Sequence, residues 1–193
     1  FGRKSANYKG DIEWNGLYRY TYIKGDGSGD SGIWEDLSLN LPNGGVFDRW
    51  NVQGSYDMLV RVRPGNSQEV YIGGTNVYRS STGFSDSTHT EKIGGYKLKA
   101  QFPDVGVWAN HHPDQHNLLF YPNDGSKLLS SNDGGVFRSV SLSASPFAWE
   151  SLNNGYLTTQ FYTVALDHGT PESPLLVGGA QDNNQLMTVS MDP

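Results

Sequence analysis

Three short stretches gather the residue types that can do chemistry. The first, HHPDQH, runs from His111 to His116 and sets imidazoles and a carboxylate within six residues. Such groups serve as metal ligands or as acids and bases. On a regular strand, residues two apart share a face, so His112, Asp114 and His116 could converge, although Pro113 works against regularity. The spacing matches neither a zinc-binding helix nor a Cys/His framework. The other two stretches, NDGG (Asn132 to Gly135) and QDNN (Gln181 to Asn184), offer the carboxylate and amide oxygens of Asn132, Asp133, Gln181, Asp182 and Asn183. These oxygens suit a calcium ion or sugar hydroxyls. The same residue types also make tight hairpin turns, because Asn, Asp and Gly accept positive φ at low cost.

Hydrolysis of a glycosidic bond needs two carboxyl groups flanking it, about 5 to 9.5 Å apart. Asp114, Asp133 and Asp182 are candidates at strand ends, and spacing alone selects no pair, so no catalytic residue is assigned. The arginines Arg61, Arg63, Arg79 and Arg138 fall at recurring strand positions and read as surface residues of a sheet, not as a clamp for a carboxylate substrate. Of the five tryptophans, Trp34 and Trp149 recur at one structural position and read as core. Trp50 and Trp108 each precede an apolar strand, in connections where loops carry ligand contacts, and are added to the binding candidates Asp114, His116, Asn132, Asp133, Gln181, Asp182 and Asn183.

The elements that would position these residues are short strands. The chain of 193 residues suits one domain. With 24 Gly, 11 Tyr, 8 Phe and 5 Trp, and only 18% charged residues, it has the composition of an all-β protein. Helical periodicity is interrupted almost everywhere by Gly, Pro, Asn or Ser. Nine strands are expected, at 56–64, 69–74, 76–81, 116–122, 127–131, 135–141, 161–167, 174–179 and 185–191. They fall into three sets with one grammar, in which an apolar strand, a Pro/Asp/Gly/Asn loop, a second strand, a tight turn and a third strand follow in order. The period of roughly 45 to 60 residues is that of a propeller blade. Residues 1–50 are then the end of one blade, 51–110 and 111–157 two blades, and 158–193 the start of another. The expectation is a partial β-propeller of about three blades, completed by a longer chain or by other chains.

A formal net charge of -6 with no Lys/Arg run gives no footprint for nucleic acid, and no apolar run is long enough to insert in a membrane. The absence of cysteine excludes disulfides and thiolate metal sites.

The segment from Asp114 to Asn184, with DQHNLLFYPNDGSKLLSSNDGGVFRS, Trp149, QFY and GGAQDNN, resembles the bacterial sortilin-type or BNR-repeat propellers. The turns RSSTGF and RSVSLSASPFAW lack the Asp of the Asp-box form. The resemblance implies an extracellular or cell-surface propeller, non-catalytic, that binds protein or glycan, with no cofactor or with calcium. The alternative it implies is a glycoside hydrolase of the xyloglucanase-like type.

Overall fold

A computed structural model describes residues 5–6, 12–14, 16–54, 56–156, 159–180 and 185–190. The chain is all-β, as its composition predicts. It divides into two compact units, Phe1–Asn153 and Asn154–Pro193.

The first unit opens with two strand pairs, β1 (Ser5–Ala6) with β2 (Ile12–Trp14) and β3 (Tyr18–Tyr22) with β4 (Gly32–Asp36). Two four-stranded antiparallel sheets follow, each paired in chain order. One comprises β5 (Leu59–Arg63), β6 (Asn66–Gly73), β7 (Val77–Ser80) and β8 (Thr90–Gly94). The other comprises β9 (Gln115–Tyr121), β10 (Asp124–Asn132), β11 (Gly135–Ser139) and β12 (Glu150–Ser151). The second unit is a three-stranded antiparallel sheet of β13 (Phe161–Leu166), β14 (Leu176–Ala180) and β15 (Gln185–Thr188).

Every expected strand is present. The sequence reading passed over the fourth strand of each large sheet. In TEKIG, which forms β8, Ile93 is the only large apolar side chain, and the neighbouring Lys92 is buried by pairing with Asp48, at 2.8 Å. Strand β12 has only two residues, too few for any periodic signal.

The β5–β8 sheet is apolar on both faces because successive side chains alternate across a strand. Tyr71, Val77 and Ile93 face the second sheet and join Leu118, Phe120, Leu128, Phe137, Phe147 and Trp149 in one core. Ile72 and Tyr78 face the other way and pack with Phe84 and with Leu37 and Leu41 from the segment after β4. Burying one such side chain contributes about 1.5–3 kcal/mol, so these two contacts dominate the unit's stability. Trp149 lies in the first core, its indole donating to the Ile93 carbonyl at 2.6 Å. Trp34, expected in a core by analogy with Trp149, is 68% exposed on β4 and tilts against Tyr20 at 4.8 Å. Among the described residues no second layer covers this face of the β3–β4 pair.

His111 fastens the two large sheets together. Its ring stacks on Trp149 with centroids 4.3 Å apart. Nδ1 accepts from the Gly95 amide at 3.1 Å, so Nε2 carries the proton and donates to Ser130 Oγ at 3.0 Å. Burial, aided by the nearby His112, pushes its pKa down to about 3, and the ring stays neutral. Replacing it by alanine opens a cavity and strips a partner from the Gly95 amide. His111→Ala should cost about 2–4 kcal/mol of stability, read as a lower urea midpoint at unchanged slope.

Candidate functional site

The NDGG stretch is a hairpin turn. Asn132 pairs with Gly135 across β10 and β11, and its side-chain oxygen accepts from the Gly134 amide at 3.0 Å. Positive φ, expected of the whole turn, is needed only at Gly135, at +112°. Gly134 is required for a different reason. A Cβ there would sit 2.4 Å from Cβ of His112, so the connection before β9 could not pass beneath the turn. Asn132 is buried and belongs to the turn's scaffold.

The corresponding turn of the first sheet, Gly74 to Asn76, is crowded in the same way. A Cβ on Gly74 would lie 2.1 Å from the Asn51 carbonyl. Asp114 stitches the two turns together through its backbone, its amide donating to the Thr75 carbonyl at 2.9 Å and its carbonyl accepting from the Asp133 amide at 3.3 Å. Both turns therefore lie at one end of the paired sheets, where β5 and β9 begin.

Three carboxyl groups lie toward that end. Asp133 is exposed and binds Nε2 of His116 at 2.5 Å, while Tyr56 meets the His116 ring edge-on at 5.4 Å. Asp114 is half-buried and accepts a hydrogen bond from the Gln53 amide. Asp57, two residues ahead of β5, has 0% exposure, and among the described residues no donor reaches either of its oxygens. It lies close enough to Asp114 for each carboxyl group to shift the other's titration. Burial, the Asp114 charge and contact, and the Asp133 charge push the Asp57 carboxyl up to about 7. Burial and the Asp133 charge also raise Asp114, partly offset by contact with Asp57, by His112 and by Gln53.

The backbone at this end is strained where it carries these groups. Asp114 has φ +65° and Gln53 φ +46°, both in the left-handed region that residues with a side chain rarely adopt. The strained pair is bridged by the Gln53 to Asp114 hydrogen bond. Strain of this kind collects at binding and catalytic sites.

Gln53 also lines an open groove of about 800 Å³ together with Phe47, Arg49, Asn51, Asn76, Tyr96 and Phe102. Phe47 meets Tyr96 at 4.9 Å and Phe102 at 5.3 Å, both edge-on, and Phe102 is 79% exposed. The platform is anchored from beneath. The Phe47 carbonyl accepts from Asn76 Nδ2 and from Lys92 Nζ, each at 2.9 Å. The result is a row of aromatic side chains with amides and a guanidinium beside it, leading to a carboxylate cluster.

The candidates from the sequence separate as follows. Asp114, His116, Asn132 and Asp133 come together. Trp50 packs beneath β6 and β7 in the second core, against Tyr78. Trp108 packs on the first core and donates to the Phe147 carbonyl at 3.1 Å. Gln181, Asp182 and Asn183 lie outside the described residues. Asp57 and Gln53 were not singled out from sequence. The signal for Asp57 was its place in SYDMLV, a carboxylate directly ahead of an apolar strand, as Asp114 is ahead of LLF. A second cavity, of about 430 Å³, is lined by residues of β5–β8 and of the segment after β11, but its arginines are committed, Arg63 to Glu69 and Arg79 to Glu91, each at 2.6 Å. Among the described residues no three His, Asp or Glu side chains are gathered as a metal site. No helix there is long and apolar enough to cross a membrane.

The carboxyl raised at Asp57 makes stability pH-dependent. A folded-state pKa above the unfolded value contributes stability that is complete below about pH 4 and lost as pH rises through about 7. Asp57→Asn should remove that loss and raise stability by up to ~4 kcal/mol at alkaline pH, read from denaturation midpoints across the range. The exposed His116 and Asp133 pair is screened by water, so Asp133→Asn should change stability by less than about 1 kcal/mol in the same measurement.

No protein-family model, curated protein or solved structure matches this chain.

Proposed function

We propose that the chain is part of a β-propeller on an extracellular protein, and that it binds glycan in the groove of Phe47, Tyr96 and Phe102 without turning it over. The single observation that carries the ligand assignment is the groove itself. Exposed aromatic surface suits the apolar faces of sugar rings, and the flanking Asn51, Gln53, Asn76 and Arg49 offer hydrogen bonds to hydroxyls. An anchored platform loses little freedom on binding.

The propeller reading is supported by sheet order. Consecutive antiparallel sheets are each paired in chain order, and the first strand of the second sheet, β9, lies against β5 and β6 of the first. Within the first unit the β3–β4 pair carries large apolar side chains in the open, Tyr22, Ile33 and Trp34; within the second, β13 and β15 carry Tyr162, Val164, Leu166 and Met187. Further sheets stacked as β9–β12 is stacked on β5–β8 would cover such faces.

A second reading, glycoside hydrolase, is favoured by one observation. Asp57, Asp114 and Asp133 lie at one end of the sheets, and burial raises the first two, as a general acid requires. Its weakness is that Asp57 has no exposed surface.

Calorimetric titration with xyloglucan and β-glucan oligosaccharides tests the proposal. Binding without product release is expected. Phe102→Ala should weaken binding at least about tenfold, a loss of about 1.4 kcal/mol, with the circular dichroism spectrum unchanged. Product release abolished by Asp114→Asn would establish the hydrolase instead, and no binding to either glycan class would end the glycan assignment.

A further inference from the structure

Asp57 is the least expected side chain in the molecule. A buried carboxylate without a donor costs several kcal/mol, and proteins rarely tolerate one unpaired. Here it faces a second carboxyl group, Asp114, with a third, Asp133, nearby. Two acceptors in contact repel unless something lies between them, and a proton or a cation would serve.

The groups around the pair decide between these. Asp133, from the β10–β11 turn, is already engaged by His116 of β9. Gln53, from the 51–54 loop, gives Asp114 a donor. His112, from the connection before β9, faces Asp114 and favours its charged form, while its own Nδ1 lies 3.1 Å from the Pro113 carbonyl. Among the described residues no three His, Asp or Glu side chains are gathered as a metal site, which favours the proton. The asymmetry between the two carboxyl groups is equally plain. Asp114 has a donor, a nearby imidazole and partial exposure, so it holds the negative charge. Asp57 has none of these.

We propose that Asp57 is a positioning residue: it keeps its proton and donates it to Asp114, fixing that carboxylate at the border of the groove as an acceptor for a ligand hydroxyl. The left-handed backbone at Asp114 and Gln53 is held by the same set of contacts. When Asp57 loses its proton, the two carboxylates repel and Asp114 is no longer held. The ligand half of this inference rests on the glycan reading above, whereas the shared proton does not.

Carboxyl-detected NMR titration of the whole chain tests the proton directly, in the wild type and in Asp57→Asn and Asp114→Asn, with and without calcium chloride. One Asp carboxyl of the wild type should titrate at about 7. That step should vanish in Asp57→Asn and move toward the ordinary carboxylate range in Asp114→Asn. Calcium should leave it in place. Titration of xyloglucan oligosaccharides in parallel should show wild-type affinity falling roughly tenfold through this transition as pH rises, and a flat profile in Asp57→Asn, whose amide supplies a permanent donor. A wild type in which every Asp titrates in the ordinary range overturns the shared proton. So does a calcium-induced loss of the neutral step with a rise in Tm, which would make the cluster a cation site. An intact neutral step with no oligosaccharide binding in any variant upholds the shared proton and overturns the glycan reading alone.

Discussion

A four-stranded sheet with large apolar side chains on both faces cannot stand in water, and β5–β8 is such a sheet. Tyr71, Val77 and Ile93 on one side and Ile72 and Tyr78 on the other must each be covered. The second sheet covers the first set, and the segments carrying Leu17, Leu37, Leu41 and Trp50 cover the second. Much of the rest follows from that demand. Stacking the sheets brings their ends into line, and the alignment is made specific by polar groups inside the contact. His111 links the Gly95 amide to Ser130, and the indole of Trp149 reaches the Ile93 carbonyl. Apolar contact supplies the stability, and these directional bonds fix the register of one sheet upon the other.

The candidate site is a by-product of that alignment. Where β5 and β9 begin, two tight turns and two connections compete for little space, and glycines at 74 and 134 let backbones pass at distances a Cβ would forbid. Asp57 and Asp114 arrive at the same end because they lie two residues and one residue ahead of the first strand of their sheets. Strain at Asp114 and Gln53 and the carboxyl pair with no donor between them are local costs, borne by the two cores beneath. The aromatic groove adjoins this point because Asn76, from the turn before β7, and Lys92, from β8, hold the 45–51 loop by the Phe47 carbonyl.

Much of the fold was legible because the strands that build the cores are runs such as LVRV, EVYIGG and NLLFY, bounded by Gly, Pro and Asn, and local pattern sufficed for them. Strand β8 was not legible because its buried Lys92 reads as a surface residue until Asp48 is seen beside it. The repeat suggested one environment for Trp34 and Trp149, but a residue's burial depends on whether a neighbouring layer is present, and among the described residues none covers β4. The site was half legible. Asp114, His116 and Asp133 stood out by type and proximity in sequence. Asp57 lies more than fifty residues away from Asp114 and joins it only through the stacking of sheets, which no local window contains. Trp50 and Trp108 attracted notice by their positions in connections, yet each is drawn into a core by its size.

The central claim is that the end of the stacked sheets where β5 and β9 begin is a glycan-binding surface. Amide chemical-shift mapping on the isotopically labelled chain, with xyloglucan oligosaccharides added stepwise, tests it most directly. The account predicts saturable shifts confined to Phe47, Gln53, Asn76, Tyr96, Phe102 and Asp114 and their immediate neighbours. Shifts centred on the cavity of Arg63 and Arg79, or none at saturating oligosaccharide, would contradict it.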